Sequence, residues 1–404
     1  MMKIPDWITP IYEQIKAEYP ALLLPKAEKT NIKNWDFESL QLTNPIIYEN
    51  KVPDVAAHLV DEADKNIIVV CDGAIVYKRL SVDFEDVIIT TLQNALEQHE
   101  DLVKSYFGKV IPFNTNRLTA LNFLNLNSGL FIYVPKNKVI GTPLNVIFIQ
   151  EGRSLLNRNL IVANQSSQLE YIENYVNQSA AVINLCTEII VGENAQLDFV
   201  AMDCFHKDVI AYECKRSAVE ANGSLSLSHG ALSDGNVVSE NLVSLVGSGA
   251  SAQVKSVAIA ENAQKQNITV EVEHLAPHTA GDIINHGISK DEAQLTFNGI
   301  GRIHKGMRGS DAQQSSRVMI LSEKARADAN PLLLIEEYDV SAGHAAGVGK
   351  INEEQLYYLM SRGLTRREAE SLIIHGFLMP FIKEIKNEAV QAEFVNVIER
   401  KIKA

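Results

Sequence analysis

The seven residues SSQLEYI, at Ser166–Ile172, begin a pattern that decides the fold of this chain. Related phrases follow it: NAQLDFV (Asn194–Val200), NGSLSLS (Asn222–Ser228), ASAQVKS (Ala250–Ser256) and EAQLTFN (Glu292–Asn298). Their first apolar residues, spaced by 28, 28, 29 and 41 positions, are Leu169, Leu197, Leu225, Val254 and Leu295. Such a near-constant period indicates stacked structural units. The longer last interval, which contains HLAPHTAGDIINHG, predicts an insertion.

The repeat predicts a parallel β-helix. Each period holds short apolar runs separated by polar turns, with no helical pattern between them, which is typical of strands. One coil cannot bury its inward side chains alone, whereas stacked coils form a continuous apolar core. A β-sandwich would also use many short strands, and the regular period favours the β-helix. We expect an N-terminal α+β region at residues 1–113, the β-helix at 114–345 and a C-terminal helical domain at 346–404.

The N-terminal region mixes both kinds of pattern. Pro10–Tyr19 predicts a short helix, and Phe84–Tyr106 a second one, since neither interior contains Gly or Pro. Between them, Lys65–Tyr77 predicts a β-hairpin around Asp72-Gly73, a dipeptide that favours tight turns.

The C-terminal region has well-marked helix ends. Asn352 precedes acidic residues as an N-cap, Gly363 follows as a C-terminal glycine, and Thr365-x-x-Glu368 forms a capping box for the next helix. Pro380 should bend or end that helix. A last amphipathic helix carries apolar residues from Ile382 to Ile398. We expect the helices to cap the open end of the coils and to expose a docking surface.

Composition restricts the function. The 404 residues exceed what one hydrophobic core usually supports. A formal charge of −13, from 37 basic and 50 acidic residues, opposes binding to nucleic acid. The N-terminus lacks the apolar core of a secretion signal, and no apolar run approaches the ~20 residues that span a bilayer. Four cysteines without a C-x-x-C pair fit a reducing compartment. We expect a soluble, cytoplasmic protein without membrane contact.

Several residues are candidates for chemistry. His344 is the only functional side chain between Ala342 and Gly347, so it is either a metal ligand or an ordinary hydrogen-bonded histidine. Four histidines lie within 31 residues, but Pro277 disfavours a helical His274–His278 pair, which favours turn histidines over a zinc site. They are His274, His278, His286 and His304.

The cysteines and the known catalytic motifs give little support to an enzyme. Cys71, Cys186, Cys204 and Cys214 read as small buried hydrophobic residues, and Cys204 with His206 makes half a site at most. Neither a phosphate-binding G-x-x-x-x-G-K-[ST] loop nor a G-x-S-x-G nucleophile motif occurs. The chain is therefore expected to have no catalytic residue of its own.

Four motifs in register carry a family resemblance. They are ADANPLL (Ala327–Leu333), DVSAGHAAGVG (Asp339–Gly349), YYLMSRGL (Tyr357–Leu364) and LIIHGF (Leu372–Phe377). With TNRLTALN at Thr115–Asn122, the sequence resembles the SufB/SufD family of iron–sulfur cluster assembly scaffolds. The resemblance implies a right-handed parallel β-helix with helical ends. It also implies side-by-side pairing with a SufB-like paralogue, and docking of a SufC-like ABC-type ATPase on the C-terminal helices.

The resemblance also implies roles for single residues. His344 would ligate iron or a nascent cluster at the heterodimer interface, facing a cysteine of the paralogue. Many family members carry a cysteine two residues before this histidine, where this chain has Ala342, which favours the SufD branch. The cluster would then be transient, and no cofactor would be bound tightly by this chain alone. The implied ATPase-docking residues are Tyr357, Arg362, Gly363, Leu364, Leu372 and Phe377.

Three alternatives remain open at this point. The chain could be a SufB-like, cluster-bearing subunit, or a structural homodimer joined through its sheet edges. It could also be a polysaccharide-acting β-helix protein, which would need a carboxylate cluster on one strand face and a secretion signal. Asp198, Asp203 and Asp208 are five residues apart and should alternate between faces.

Overall fold

The computed structural model describes residues 4–42, 52–60, 65–151, 153–177, 179–382 and 388–403. Within these ranges the strands form two sheets. Sheet A has ten strands: Ile67–Cys71 (β1), Ala74–Arg79 (β2), Leu144–Gln150 (β5), Gln168–Asn177 (β7), Gln196–Cys204 (β9), Ser224–Ala231 (β11), Ser251–Ala260 (β13), Ala280–Ser289 (β15), Asp311–Ile320 (β17) and Ser341–Lys350 (β19). Sheet B has nine: Ile88–Thr91 (β3), Leu130–Val134 (β4), Leu155–Ala163 (β6), Val182–Val191 (β8), Ile210–Val219 (β10), Asn236–Leu245 (β12), Lys265–His274 (β14), Gln294–Ile303 (β16) and Arg326–Ile335 (β18).

From β4 onward, successive strands alternate between the two sheets. From β4 onward each strand pairs in parallel with the strand two further along the chain, so each coil gives one strand to each sheet. This is a β-helix, and the predicted fold class is confirmed. An antiparallel sandwich is excluded by the parallel pairing. Strands β1–β3 come before residue 114 and β19 crosses residue 345, so the sheets extend beyond both predicted domain boundaries.

The coil register corrects the sequence repeat. In sheet A the residues that stack in one row are Leu169, Leu197, Leu225, Ala252, Gly281, Ala312 and Ala342, at intervals of 27 to 31 residues. Val254 pairs instead with Leu227, and Leu295 belongs to β16 in sheet B. The predicted insertion was therefore wrong. His274–Gly287 spans the end of β14, a turn and most of β15, which are regular parts of the coil.

Four of the five recurring phrases mark the corner that enters sheet A, and EAQLTFN marks a corner that enters sheet B. Asn194, Asn222 and His278 each adopt a positive φ, between 54° and 59°, two residues before a strand. Gly249 and Gly309 occupy the same corner in other coils, with φ of 73° and 70°. This left-handed conformation strains most side chains, and asparagine and glycine tolerate it best. The repeat therefore records turn geometry as well as inward apolar residues.

The N-terminal region covers the outer face of sheet B. Its α-helices are Thr9–Glu18 (α1), Leu92–Gln98 (α2), Glu100–Tyr106 (α3) and Arg117–Leu124 (α4). They pack with the outward residues Phe131, Leu160 and Val162. The first helix and the hairpin at Asp72-Gly73 are confirmed. The single helix over 84–106 was wrong, because β3 and a break at His99 divide that segment.

Three helices follow the last coil: Glu353–Ser361 (α5), Arg366–Ile382 (α6) and Glu388–Lys403 (α7). Asn352 caps α5 by accepting from the N–H groups of Glu354 and Gln355, and the capping box at Thr365 forms. Pro380 does not end α6, which continues to Ile382.

These helices do not cap the open end of the coils. Ile374, Leu378, Phe394 and Ile398 pack on the outward residues of sheet A, such as Val257. The buried Lys401 fixes α7 to the coil corners: its Nζ donates to the Ser233 carbonyl at 3.1 Å and to Glu261 Oε1 at 3.3 Å, and it pairs with Asp234. The end of the solenoid is therefore left uncovered by them. None of the helices in the described ranges is long and apolar enough to span a membrane.

Candidate functional site

His344 lies on β19, the edge strand of sheet A, and its side chain is exposed. It pairs in register with Gln314, whose buried amide donates to the Leu332 carbonyl in sheet B across the interior. Residues paired in a parallel ladder share a face. His344 therefore belongs to the inward-facing row, at the point where the last coil leaves the interior uncovered. Its role as a ligand stays a prediction.

The terminal coil around His344 is exposed and partly apolar. Leu332, Leu334 and Ile335 of β18 are 41%, 39% and 36% exposed, and Val348 of β19 is 43% exposed. Both strands are sheet edges, so their outer backbone groups have no ladder partner in the described chain. Edges of this kind are ready to pair with another strand.

The predicted docking residues divide into two groups. Tyr357, Arg362, Gly363 and Leu372 are exposed, and Gly363 ends its helix with a φ of 98°. Leu364 and Phe377 are half-buried and pack against neighbouring helices and sheet A: Phe377 contacts the His286 ring, with 5.1 Å between ring centres. Their docking role stays a prediction, and only the first group offers a free surface.

The four histidines of the 274–304 segment have separate surroundings. His274 is buried and its Nδ1 lies 2.7 Å from Thr279 Oγ1, while His304 Nε2 lies 2.7 Å from Glu273 Oε1. His278 occupies a coil corner and His286 lies on the outer face of sheet A. Within the described ranges, none of them joins a group of three potential ligand atoms that lie within 4.8 Å of one another.

The four cysteines are free. Cys71, Cys186 and Cys214 are buried, and Cys204 is half-buried. Burial raises the pKa of the Cys71 and Cys204 thiols to about 12 and that of Cys214 to about 11. Thiols held protonated in this way are poor ligands and nucleophiles, in agreement with their interpretation as structural residues.

A buried group of ionisable side chains lies inside the solenoid, and the sequence prediction missed it. We call Glu173 of β7, Asp203 of β9, Glu213 and Lys215 of β10, and His229 of β11 the internal cluster. Each is at most 3% exposed. They reach one place from both sheets, because all five occupy inward positions in adjacent coils.

The distances within the internal cluster are short. His229 Nε2 lies 3.2 Å from Glu213 Oε2 and 3.8 Å from Asp203 Oδ1. Lys215 Nζ donates to Glu213 Oε2 at 3.3 Å. Asp203 accepts from the Leu232 N–H at 3.1 Å and from Ser233 Oγ at 3.0 Å.

Burial and neighbouring charges shift the pKa values of these groups in different directions. It raises the pKa of Glu173 to about 7 and holds that of Asp203 well above its usual range, because the charged forms lose water. Burial also opposes ionisation of Glu213, but the Lys215 ammonium and His229 outweigh it and keep its pKa low. Burial lowers the pKa of His229.

A sequence signal for the internal cluster did exist. Asp203 continues the alternation Leu197, Phe199, Ala201, and these three residues line the core. Glu213 and His229 each follow a core residue, Ala211 and Leu227, by two positions, so the same period predicts that they also face inward. Charged residues at inward positions of a β-helix are uncommon enough to be noticed. Their convergence, however, depends on the coil register.

Comparisons with known proteins agree with the geometry. Residues 147–377 match the family described as "SUF system FeS cluster assembly, SufBD core domain", and residues 43–146 match "SufBD protein N-terminal region". The chain is 39% identical to the "Iron-sulfur cluster assembly protein SufD" of Bacillus subtilis (strain 168), over 99% of this chain and 95% of that protein. It is 31% identical to SufBD family proteins of Staphylococcus saprophyticus and Staphylococcus aureus (strain USA300), over 78% of this chain and 70% of each relative. The β-helix with its helical ends, the two family matches and the full-length match to the Bacillus subtilis protein lead to one conclusion: the chain belongs to the SufBD family of the SUF iron–sulfur cluster assembly system.

Proposed function

We propose that this chain is a SufD-like scaffold subunit that pairs with a SufB-like paralogue through its terminal coil. The observation that carries the proposal is the open end of the solenoid, where His344 continues the inward row on an edge strand. A partner that covers this end would enclose the imidazole. The iron–sulfur cluster is the cargo of the complex, held transiently.

The surroundings of His344 support a shared site. Its neighbours Gly343, Ala345 and Ala346 are small, so a second backbone can approach closely. The chain itself offers no thiol there, since Ala342 stands at the nearest position on the same face. A thiolate and an imidazole from two subunits form a mixed site that suits iron.

The edge strands supply the pairing surface. β18 and β19 each present ten residues of backbone, and the exposed side chains of Leu332, Ile335 and Val348 add apolar area. Strands added by a paralogue would satisfy the free backbone groups and bury these side chains. A second copy of this chain could use the same edges, and homodimerisation in the absence of the paralogue is an outcome of the test below.

The C-terminal helices fit a mechanical link to an ABC-type ATPase. Ile351 and Asn352 are the only residues between β19 and α5, so movement of α5 acts directly on the strand that carries His344. Tyr357 and Leu372 are 75% and 52% exposed and give an ATPase an apolar contact. Closure of two ATPase subunits would then shift the terminal coils as rigid bodies and expose the ligands. The chain supplies no catalytic residue in this scheme.

The proposed location is the cytoplasm, where thiols stay reduced. All four cysteines are free and none is paired, which supports this assignment.

The test is co-expression with a SufB-like paralogue and an ABC-type ATPase, under anaerobic conditions. We expect a complex of the three chains that shows visible iron–sulfur absorbance. His344→Ala should leave the complex intact and remove most of that absorbance. The matched control is His206→Ala, because His206 is also partly exposed (35%) but lies away from the terminal coil.

Two results would refute the proposal. One is unchanged cluster absorbance in His344→Ala. The other is a stable homodimer that does not exchange with the paralogue.

A further inference from the structure

We propose that Asp203, Glu213 and His229 bind a divalent transition-metal ion inside the solenoid. This site is separate from the terminal coil and goes beyond the proposed scaffold function. His229 lies on β11 and His344 on β19, four strand spacings apart in sheet A, or about 19 Å.

The geometry is that of a three-ligand site. One ligand atom from each residue lies within 4.8 Å of the other two. Ligand atoms that sit about 2.0–2.2 Å from a common ion are roughly 3–4 Å apart. The separations from His229 Nε2 to Glu213 and Asp203, 3.2 and 3.8 Å, fall in this range.

Unpartnered atoms provide a second, independent observation. Both ring nitrogens of His229 and Oε1 of Glu213 are buried and make no hydrogen bond among the described residues. Nε2 is near two carboxylates, but in an orientation that does not form a hydrogen bond with either. Leaving buried polar atoms unsatisfied is costly, so such groups usually mark a missing partner. A metal ion bound between the three side chains would give Nε2 a partner.

The formal charge of the internal cluster fits a divalent cation. Glu173, Asp203 and Glu213 bring three carboxylates into the interior, and Lys215 is the one ammonium group of the cluster. With these four groups ionised the formal charge of the cluster is −2, and a divalent ion brings it to zero. Uncompensated charge is expensive in a protein interior, and either a cation or bound protons must neutralise it.

The ligand types select the class of metal. An imidazole with two carboxylates suits Fe²⁺, Mn²⁺, Co²⁺ or Zn²⁺, whereas Ca²⁺ and Mg²⁺ prefer oxygen ligands alone. The neighbouring thiol of Cys204 projects to the opposite face of β9, because side chains alternate along a strand. The site therefore takes a single ion with nitrogen and oxygen ligands.

The test uses Co²⁺ as a spectroscopic probe of the full-length chain. Protein unfolded with chelator is refolded with and without Co²⁺, because the ligands are buried, and its metal content and visible absorbance are then measured. We expect about one Co²⁺ per chain, with one imidazole among its ligands by X-ray absorption. Asp203→Asn and His229→Gln should each weaken Co²⁺ binding at least tenfold. Asn keeps an acceptor for the Leu232 N–H, so the fold is expected to persist.

Two controls separate this site from other histidines. His274→Asn changes another buried histidine and should bind Co²⁺ like the parent protein. His344→Ala should also bind it, so failure of the scaffold proposal and failure of this one are distinguishable. If the ligand variants do not fold, the midpoint of thermal unfolding of the parent protein must still rise with Co²⁺.

The proposal is overturned if the refolded parent protein takes up no Co²⁺ and its unfolding midpoint does not move, since protons then neutralise the cluster. It is also overturned if Co²⁺ binding survives Asp203→Asn and His229→Gln but is lost in His344→Ala.

Discussion

A single methyl group on Gly230 should loosen the last helix. Gly230 lies in β11 on the outer face of sheet A, and a Cβ built there comes within 3.0 Å of two ring carbons of Phe394 in α7. Phe394 is fully buried. Because the three atoms nearest to that Cβ all belong to the Phe394 ring, Gly230→Ala tests one contact between the helix and the sheet.

The magnitude follows from two opposing effects. Overpacking a buried contact costs about 1–3 kcal/mol. Replacing Gly by Ala in a strand also removes freedom from the unfolded chain, which stabilises by about 0.4–1 kcal/mol. Local opening of α7 leaves β11 folded, so this gain applies only to global unfolding, and the loss for α7 is about 1–3 kcal/mol. A change of 1.4 kcal/mol corresponds to roughly a tenfold change in an equilibrium constant. Leu at position 394 lacks the ring atoms that the methyl meets, so Gly230→Ala should become neutral or stabilising in Phe394→Leu.

Hydrogen exchange of residues 388–403 measures this effect, because local opening of α7 need not unfold the whole chain. Gly230→Ala should lower protection of the α7 amides about tenfold. Gly347→Ala is the matched control: it occupies the same row of sheet A, and a Cβ there meets nothing within 4 Å. Equal loss of protection in the parent and Phe394→Leu backgrounds would refute this placement of α7.

Three further predictions concern buried groups. Burial lowers the pKa of His274 to about 4 from 6.5, so the unfolded chain takes up the proton first and stability falls as the pH drops from 6.5 towards 4. By pH 5 the free energy of unfolding should have fallen by about 2 kcal/mol through this group. In urea unfolding, His274→Asn should lose about 2 kcal/mol less than the parent protein between neutral pH and pH 5; equal losses in both proteins would contradict the prediction. Glu188→Gln should lower the free energy of unfolding in urea by about 3–5 kcal/mol. The buried Arg158 guanidinium lies 2.8 Å from the Glu188 carboxylate, and the variant leaves it charged without an anionic partner. An unchanged unfolding midpoint would show that this ion pair does not stabilise the fold. Cys186 should react with iodoacetamide at pH 8 only after denaturation, as followed by mass spectrometry, and labelling in the native protein would show that its burial is incomplete.

The sequence predicted more of the architecture than of its internal contacts. The alternating apolar runs and the polar turns between them indicated stacked coils, since both arise from local backbone geometry. The helix caps at Asn352 and Thr365 were also local and were confirmed. The repeat failed at Val254, because an apolar residue two positions away in the same strand faces the same way and imitates the true register.

What the sequence determined by itself was the kind of fold, the helix caps at Asn352 and Thr365 and the motif that contains His344. Each depends on residues close together along the chain, so the spacing of residue types in the sequence is enough to predict it. Tertiary structure alone decided that His344 ends the inward row, that the C-terminal helices lie on sheet A, and that Asp203, Glu213 and His229 meet. The physical reason is that these contacts depend on register between coils and on packing across two sheets, and neither is fixed by the period of one strand.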